Sequence, residues 1–355
     1  MVDKKTRNSN IELLRIILML MVIGVHYNFT GMGNAFYYTN TAGINVSLIN
    51  LLESICIVCV DTFIIISGYF LINKNKININ KVPKYIIMIL FFNLFQYLLN
   101  MIINKVDFNI TSFFNELLAG KWFIIIYLVL YVLSPYINKL IKELSIKDYR
   151  RLLIILISIF IIYQTFLSYI SAFISVVGWS GIIDKGKDPG YTIVNFVVMY
   201  LIGGYINKSK YNPSLKKSII IYLISTIFIF ISWYIVGHSS YNTYAGNAYN
   251  YNNIFVVISS VYLFLIFNNI KIKSKIINFI SKHSMTIFIL STSPLLVRYY
   301  SVLNVEKYSI TNYLVPHFII TCVVIYAISL IIGIIGTFIL EKTVFRLFDD
   351  KTKKV

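Results

Sequence analysis

Acidic residues are scarce: 14 Asp and Glu stand against 32 Lys and Arg, a formal net charge of +18. Charge of either sign is also thin, 13% of 355 residues, where a soluble globular chain carries about a quarter. With 58% of residues hydrophobic and a mean hydropathy of +0.75, a water-soluble globule is excluded and the lipid bilayer becomes the solvent. Long polar intervals are missing as well. The stretches between apolar runs reach only about 15 to 17 residues, so no soluble domain fits and any chemistry has to lie within a helix bundle. Cysteine is limited to Cys56, Cys59 and Cys322, all inside apolar runs, where neither disulfides nor metal sites are expected; the pair "CIVC" reads as helix packing. After the first apolar run there is no A-x-A cleavage site, so that run is kept as a permanent span rather than a signal peptide. No internal repeat marks the inverted halves of a transporter.

What is present is a series of apolar runs, each long enough to cross a hydrocarbon core of about 30 Å. Ten spans are expected, at 11–30, 46–72, 84–104, 122–138, 152–176, 191–206, 218–236, 254–270, 284–300 and 313–340. The fold class is therefore an all-α, polytopic membrane bundle, one domain over 1–355. With a cytoplasmic N-terminus, 25 of the 32 Lys and Arg fall in inside segments. That asymmetry follows the positive-inside rule and puts both termini in the cytoplasm. The basic charge is thus topology and contact with anionic lipid, not nucleic-acid binding. The bias toward Ile, Lys and Asn suggests an AT-rich genome and a bacterial plasma membrane.

The first span, "NIELLRIILMLMVIGVHYNF", carries Glu12, Arg15 and His26 where each is costly. Eleven residues separate Arg15 from His26, about 1100° of helical rotation, so the two point within roughly 20° of one direction. Glu12 lies three residues before Arg15, close enough to pair with it. Taken singly, these residues read as snorkelling and packing groups. As one stripe they suit a cavity wall and suit lipid badly. An imidazole is also the standard general base for activating a sugar hydroxyl. Two outer loops stand apart: "GMGNAFYYTNTAGIN" (31–45) has no formal charge, and "HSSYNTYAGNAYNYNN" (238–253) is dense in tyrosine and asparagine. Such side chains suit either sugar contact or an aromatic belt at the headgroups.

These residues resemble the opening signature of acyltransferase family 3, membrane enzymes that O-acetylate surface polysaccharides and related acceptors. That signature has an acidic residue, Arg three later and His eleven after that, matched by Glu12, Arg15 and His26. "VDTFIIISGYFL" is similar to the family's segment ending Ser-Gly-aromatic, here Ser67, Gly68 and Tyr69. "KWFIIIYLVLYVLSPYI" resembles its Trp, Tyr and Pro pattern, on Trp122, Tyr131 and Pro135. "ISKHSMTIFILSTSP" resembles the segment with Ser284 and Pro294, and "LEKTVFR" the closing motif with Glu341. The chain departs from the family in having Ser291, Thr292 and Ser293 where many members have a histidine before the proline, and Thr343 near where a proline is common.

The resemblance implies a cytosolic acyl-CoA donor, most often acetyl-CoA, no metal, and a polysaccharide or lipid-linked sugar as acceptor. On that reading Arg15 anchors the CoA phosphates. His26 either deprotonates the acceptor hydroxyl or carries the acyl group, with Glu12 and Asp61 as further catalytic candidates. Asp61 needs a partner, either an imidazole or an arginine. Ser67, Gly68 and Tyr69 are donor-contact candidates, with packing as the other reading of the small residues. Trp122, Tyr131 and Glu341 are candidates on the substrate side, Glu341 either pairing with Arg15 or simply interfacial, and Trp122 otherwise an aromatic anchor. His317 is expected at the interface, and His238 and His283 carry no catalytic expectation. The other class of function is a transporter or flippase for a lipid-linked saccharide.

Overall fold

The computed structural model describes residues 8–29, 32–39, 43–105, 107–170, 189–240, 242–292 and 300–349. Among them there are helices and no strands, and eight helices are long and apolar enough to cross a membrane. Hydrocarbon offers the backbone no partners, and a helix satisfies its N–H and C=O groups internally. The helices that position the site are α1 (Ser9–Asn28), α2 (Ile44–Cys56), α3 (Cys59–Leu71), α4 (Lys81–Asn104), α5 (Trp122–Glu143), α6 (Ile146–Ile170), α7 (Ile193–Ser209), α8 (Leu215–Gly237), α9 (Ile254–Asn269), α10 (Lys275–Ile280), α11 (Ser284–Ser291) and α12 (Leu314–Lys342). Two of the ten expected spans are not among those eight. The run at 191–206 is α7, 17 residues long, and the run at 284–300 passes beyond Thr292 outside the described residues.

α1 is the hub. It packs against α2, α3, α9, α10, α11 and α12. Ile11, Leu14, Leu18, Val22 and Ile23 are buried along it, a helical spacing that presents apolar side chains to neighbours on several sides. The expected span at 46–72 differs in one respect: α2 stops at Cys56 and α3 restarts at Cys59. The Val58 carbonyl at this break accepts hydrogen bonds from Thr62 Oγ1 (2.7 Å) and Ser260 Oγ (3.2 Å). The Thr62 amide also donates to this carbonyl at 3.1 Å, so the helical ladder runs across the turn and Ile44–Leu71 crosses as one span. Cys59 and Val60 form a cavity wall immediately after the turn.

α3 and α7 cross so closely that glycine is required on both. A Cβ on Gly68 would sit 2.0 Å from the Tyr200 carbonyl oxygen, and one on Gly203 2.1 Å from that of Ile65. In lipid, where apolar contact with neighbours gains little over contact with acyl chains, such close backbone packing holds helices together.

Candidate active site

One face of α1 lines two adjoining cavities. The first, about 250 Å³, is walled by Arg15, Met19 and Val22 of α1, by Val60, Phe63 and Ser67 of α3, and by Lys81, Tyr127, Ser281, Lys282 and Ser284 from other elements. Arg15 is braced from its own helix: its Nη1 donates to both Glu12 carboxylate oxygens, at 3.2 and 3.3 Å. Glu12 is buried, and Ser281 Oγ donates to its Oε2 at 2.5 Å. The carboxylate thereby fixes the guanidinium in one orientation, as a helical i,i+3 pair allows. Arg15, Lys81 and Lys282 put three cationic side chains around this space, a basin suited to phosphate. Behind it, the Tyr131 hydroxyl accepts from the Asn78 amide (3.1 Å) and donates to the Asn78 carbonyl (3.3 Å), and Lys81 Nζ lies 5.6 Å over the Tyr131 ring.

The second cavity, about 220 Å³, adjoins the first: Val22, Val60 and Phe288 line both. His26 and Lys121 face it, with Cys59, Trp122, Tyr251 and Met32. Arg15, Met19, Val22 and His26 therefore form one lining stripe at i, i+4, i+7 and i+11. His26 Nδ1 is buried without a hydrogen-bond partner. Lys121 is 5% exposed, and its ammonium donates to the Thr292 carbonyl at 3.1 Å. Burial pulls that ammonium down to about 8, with the charge of Glu116 acting the other way. Trp122 closes the chamber edge-on against Tyr191 (4.6 Å between centroids), and Tyr191 packs on Tyr251 at 5.0 Å. Met32 also borders a third, open cavity of about 460 Å³ with Asn34, Tyr38, Asn304, Glu306 and Lys307 on its rim. Both outer loops singled out in the sequence thus reach the His26 chamber, through Met32 and Tyr251.

Residues 8–340 match the family model for an acyltransferase domain, acyltransferase 3. The chain belongs to the acyltransferase 3 family. It is a multi-pass membrane protein of that family, with an acyl donor and an acceptor as substrates. No curated protein and no solved structure gives a significant match.

Within this acyltransferase the expected site residues separate into groups. Arg15, Ser67 and Ser284 line the first cavity, His26 and Trp122 the second, and Glu12 supports Arg15. Glu12 lies 14 residues before His26, about 21 Å down the helix, so its direct partner is the guanidinium. Asp61 is fully buried and accepts from Asn195 Nδ2 of α7 at 3.1 Å, a partner that is neither imidazole nor arginine. Gly68 faces the α7 backbone, Tyr69 packs edge-on to Phe70 and against Phe264, and Tyr131 sits behind Lys81. Glu341 is exposed; its charge opposes the effect of burial, which pulls the His283 imidazole down, and the ion partner of Arg15 is Glu12. Ser293 and Pro294 lie outside the described residues. His317 is packed, not merely interfacial: it bridges the Tyr27 hydroxyl (2.9 Å) and the Leu303 carbonyl (2.7 Å) and stacks on Tyr308. Among the described residues no group of His, Cys, Asp or Glu is arranged to hold a metal ion.

Two buried charged groups escaped the sequence reading. Lys121 precedes an apolar run with no acidic residue within four positions, a signal that it lacks a local partner. Glu53 is 3% exposed and accepts from Asn28 Nδ2 at 2.7 Å, an interhelical pair between α1 and α2. A carboxylate in mid-span was its signal.

Proposed function

We propose that this acyltransferase moves an acetyl group from cytosolic acetyl-CoA to a hydroxyl of a cell-surface polysaccharide or lipid-linked sugar, in a bacterial plasma membrane. The observation that supports this reading is that Val22, Val60 and Phe288 line both cavities, with Arg15 on one and His26 on the other, about 16 Å apart along α1. The basin of Arg15, Lys81 and Lys282 receives the CoA phosphates from the cytoplasmic side, the side to which the lysine-rich segments assign it. The pantetheine arm runs along Met19 and Val22, between Val60 and Phe288, and delivers the thioester to the His26 chamber. An apolar passage suits that uncharged arm and keeps water from the reacting ester.

The acceptor approaches from the other end. Asn34, Tyr38 and Asn304 on the rim of the open outer cavity offer the amide and aromatic groups that sugars use, and Met32 connects that cavity to the chamber. His26, which lines the chamber, takes the acceptor proton as the oxygen attacks the thioester carbonyl. Direct attack is favoured over an acyl-histidine, and the two are separable because only the latter leaves label on the protein when acceptor is withheld.

The test is reconstitution in lipid vesicles with radiolabelled acetyl-CoA on one side and cell-envelope glycan as acceptor. Wild type transfers label, and His26→Ala loses about 100- to 10 000-fold in rate. Transfer that survives the substitution removes His26 from the chemistry. No transfer together with no CoA binding by calorimetry overturns the acyl-CoA reading and restores the saccharide transporter.

A further inference from the structure

The His26 chamber contains a second functional group that nothing so far assigns. Lys121 caps the N-terminal end of α5, and its side chain is withdrawn from solvent into the same 220 Å³ space as the imidazole. An ammonium taken out of water needs either a carboxylate or a full set of acceptors. Lys121 has neither. Its one hydrogen bond is to the Thr292 carbonyl, and no carboxylate lies within ion-pair distance of it among the described residues. An ammonium has three N–H donors, so two remain for whatever occupies the chamber. The charged and titratable groups around it are His26 of α1, Cys59 of α3, Tyr251 of the outer loop and Glu116, which precedes it in the chain. Glu116 acts only through its field.

We infer that Lys121 is a catalytic residue, whose ammonium holds the oxyanion formed when the acceptor oxygen attacks the thioester carbonyl. This rests on the acyl-transfer reading of the chamber. In the step, the C–O bond forms, the acceptor proton passes to His26, and the carbonyl π pair moves onto oxygen as the oxyanion beside Lys121. Re-formation of the C=O bond then breaks the C–S bond, and the departing CoA thiolate takes the proton from His26. Lys121 keeps its three protons throughout and donates to the oxygen only while it is charged. A buried positive group fixed in a small chamber stabilises the intermediate more than the neutral thioester, the condition for raising kcat without tightening substrate binding.

The experiment compares wild type, Lys121→Met and Lys121→Arg in vesicles with labelled acetyl-CoA and envelope glycan. Lys121→Met is expected to lose about 100- to 1000-fold in kcat, with the KM for donor and acceptor little changed and CoA binding by calorimetry retained. The pH profile supplies a readout that a structural role does not move. Wild-type kcat falls on the alkaline side near pH 8 as the ammonium loses its proton, and Lys121→Arg carries that fall to higher pH because a guanidinium stays charged. The inference is overturned by wild-type kcat in Lys121→Met, or by an alkaline limb identical in wild type and Lys121→Arg; the latter decides even where the Met variant does not fold. Absence of transfer by wild type itself sinks the acyl-transfer reading, an outcome distinct from either.

Discussion

Gly68 separates packing from donor contact more cleanly than any other position. Alanine there would place its Cβ 2.0 Å from the Tyr200 carbonyl oxygen, where real Cβ contacts do not come under 3.0 Å. The obstacle is backbone, so no rotamer change relieves it, and α3 has to move about 1 Å away from α7. The reciprocal contact of Gly203 with the Ile65 carbonyl opens with it. Overpacking of this kind costs about 1–3 kcal/mol. At roughly 2–4 °C per kcal/mol, the unfolding midpoint in detergent falls by about 2–12 °C. Ser67→Ala is the comparator. It removes a hydroxyl that lines the Arg15 cavity, bonds back to the Phe63 carbonyl and meets the Tyr127 hydroxyl, and it disturbs no helix crossing. We expect Ser67→Ala to raise the donor KM at an unchanged midpoint, and Gly68→Ala to lower the midpoint. Thermal unfolding followed by size exclusion, with donor titrations on the same preparations, reads both. A Gly68→Ala protein with the wild-type midpoint and a weakened donor KM would refute the packing argument and return Gly68 to the donor site.

Two further substitutions test the assignments on either side of the chambers. Arg15→Ala removes a charged hydrogen-bonding group from the phosphate basin, worth about 1.5–3 kcal/mol, so calorimetry should show CoA bound about 10- to 150-fold more weakly, whereas His26→Ala binds it as wild type does; equal CoA affinity in Arg15→Ala and wild type would move the donor elsewhere. His317→Ala leaves the Tyr27 hydroxyl and the Leu303 carbonyl without their partner. At about 1–3 kcal/mol for each buried unsatisfied group, the midpoint should drop while kcat of the folded enzyme persists; the opposite pattern would bring His317 into the chemistry.

The stripe on the first span was readable because helical rotation is a property of the backbone alone. Spacing put Arg15 and His26 on one face, and their cost in lipid argued that the face is covered by protein. Arg15 and His26 do line cavities, on a helix that packs against six others. The apolar run at 46–72 likewise reads as one span, and Ile44–Leu71 is one of the eight candidate spans. What hydropathy does not show is the turn at Ile57 and Val58 inside that span, where Ser260, about 200 residues away, donates to the Val58 carbonyl. Motif resemblance marked Ser67, Gly68 and Tyr69 together, yet adjacent helical residues point in different directions. Ser67 faces the cavity, Gly68 the α7 backbone and Tyr69 the ring of Phe264.

The sequence by itself determined the solvent, the helical class, the family and the polar stripe, because hydropathy and helical period are local quantities summed along the chain. Only the tertiary structure decided that Ser281 completes the bracing of Arg15, that Asp61 pairs with Asn195, and that Lys121 and His26 share one chamber. Those groups are separated by 95 to 269 positions in the chain. Which of them meet depends on helix crossings such as Gly68 on Tyr200. A crossing is set by mutual packing of two surfaces, and neither surface alone contains it.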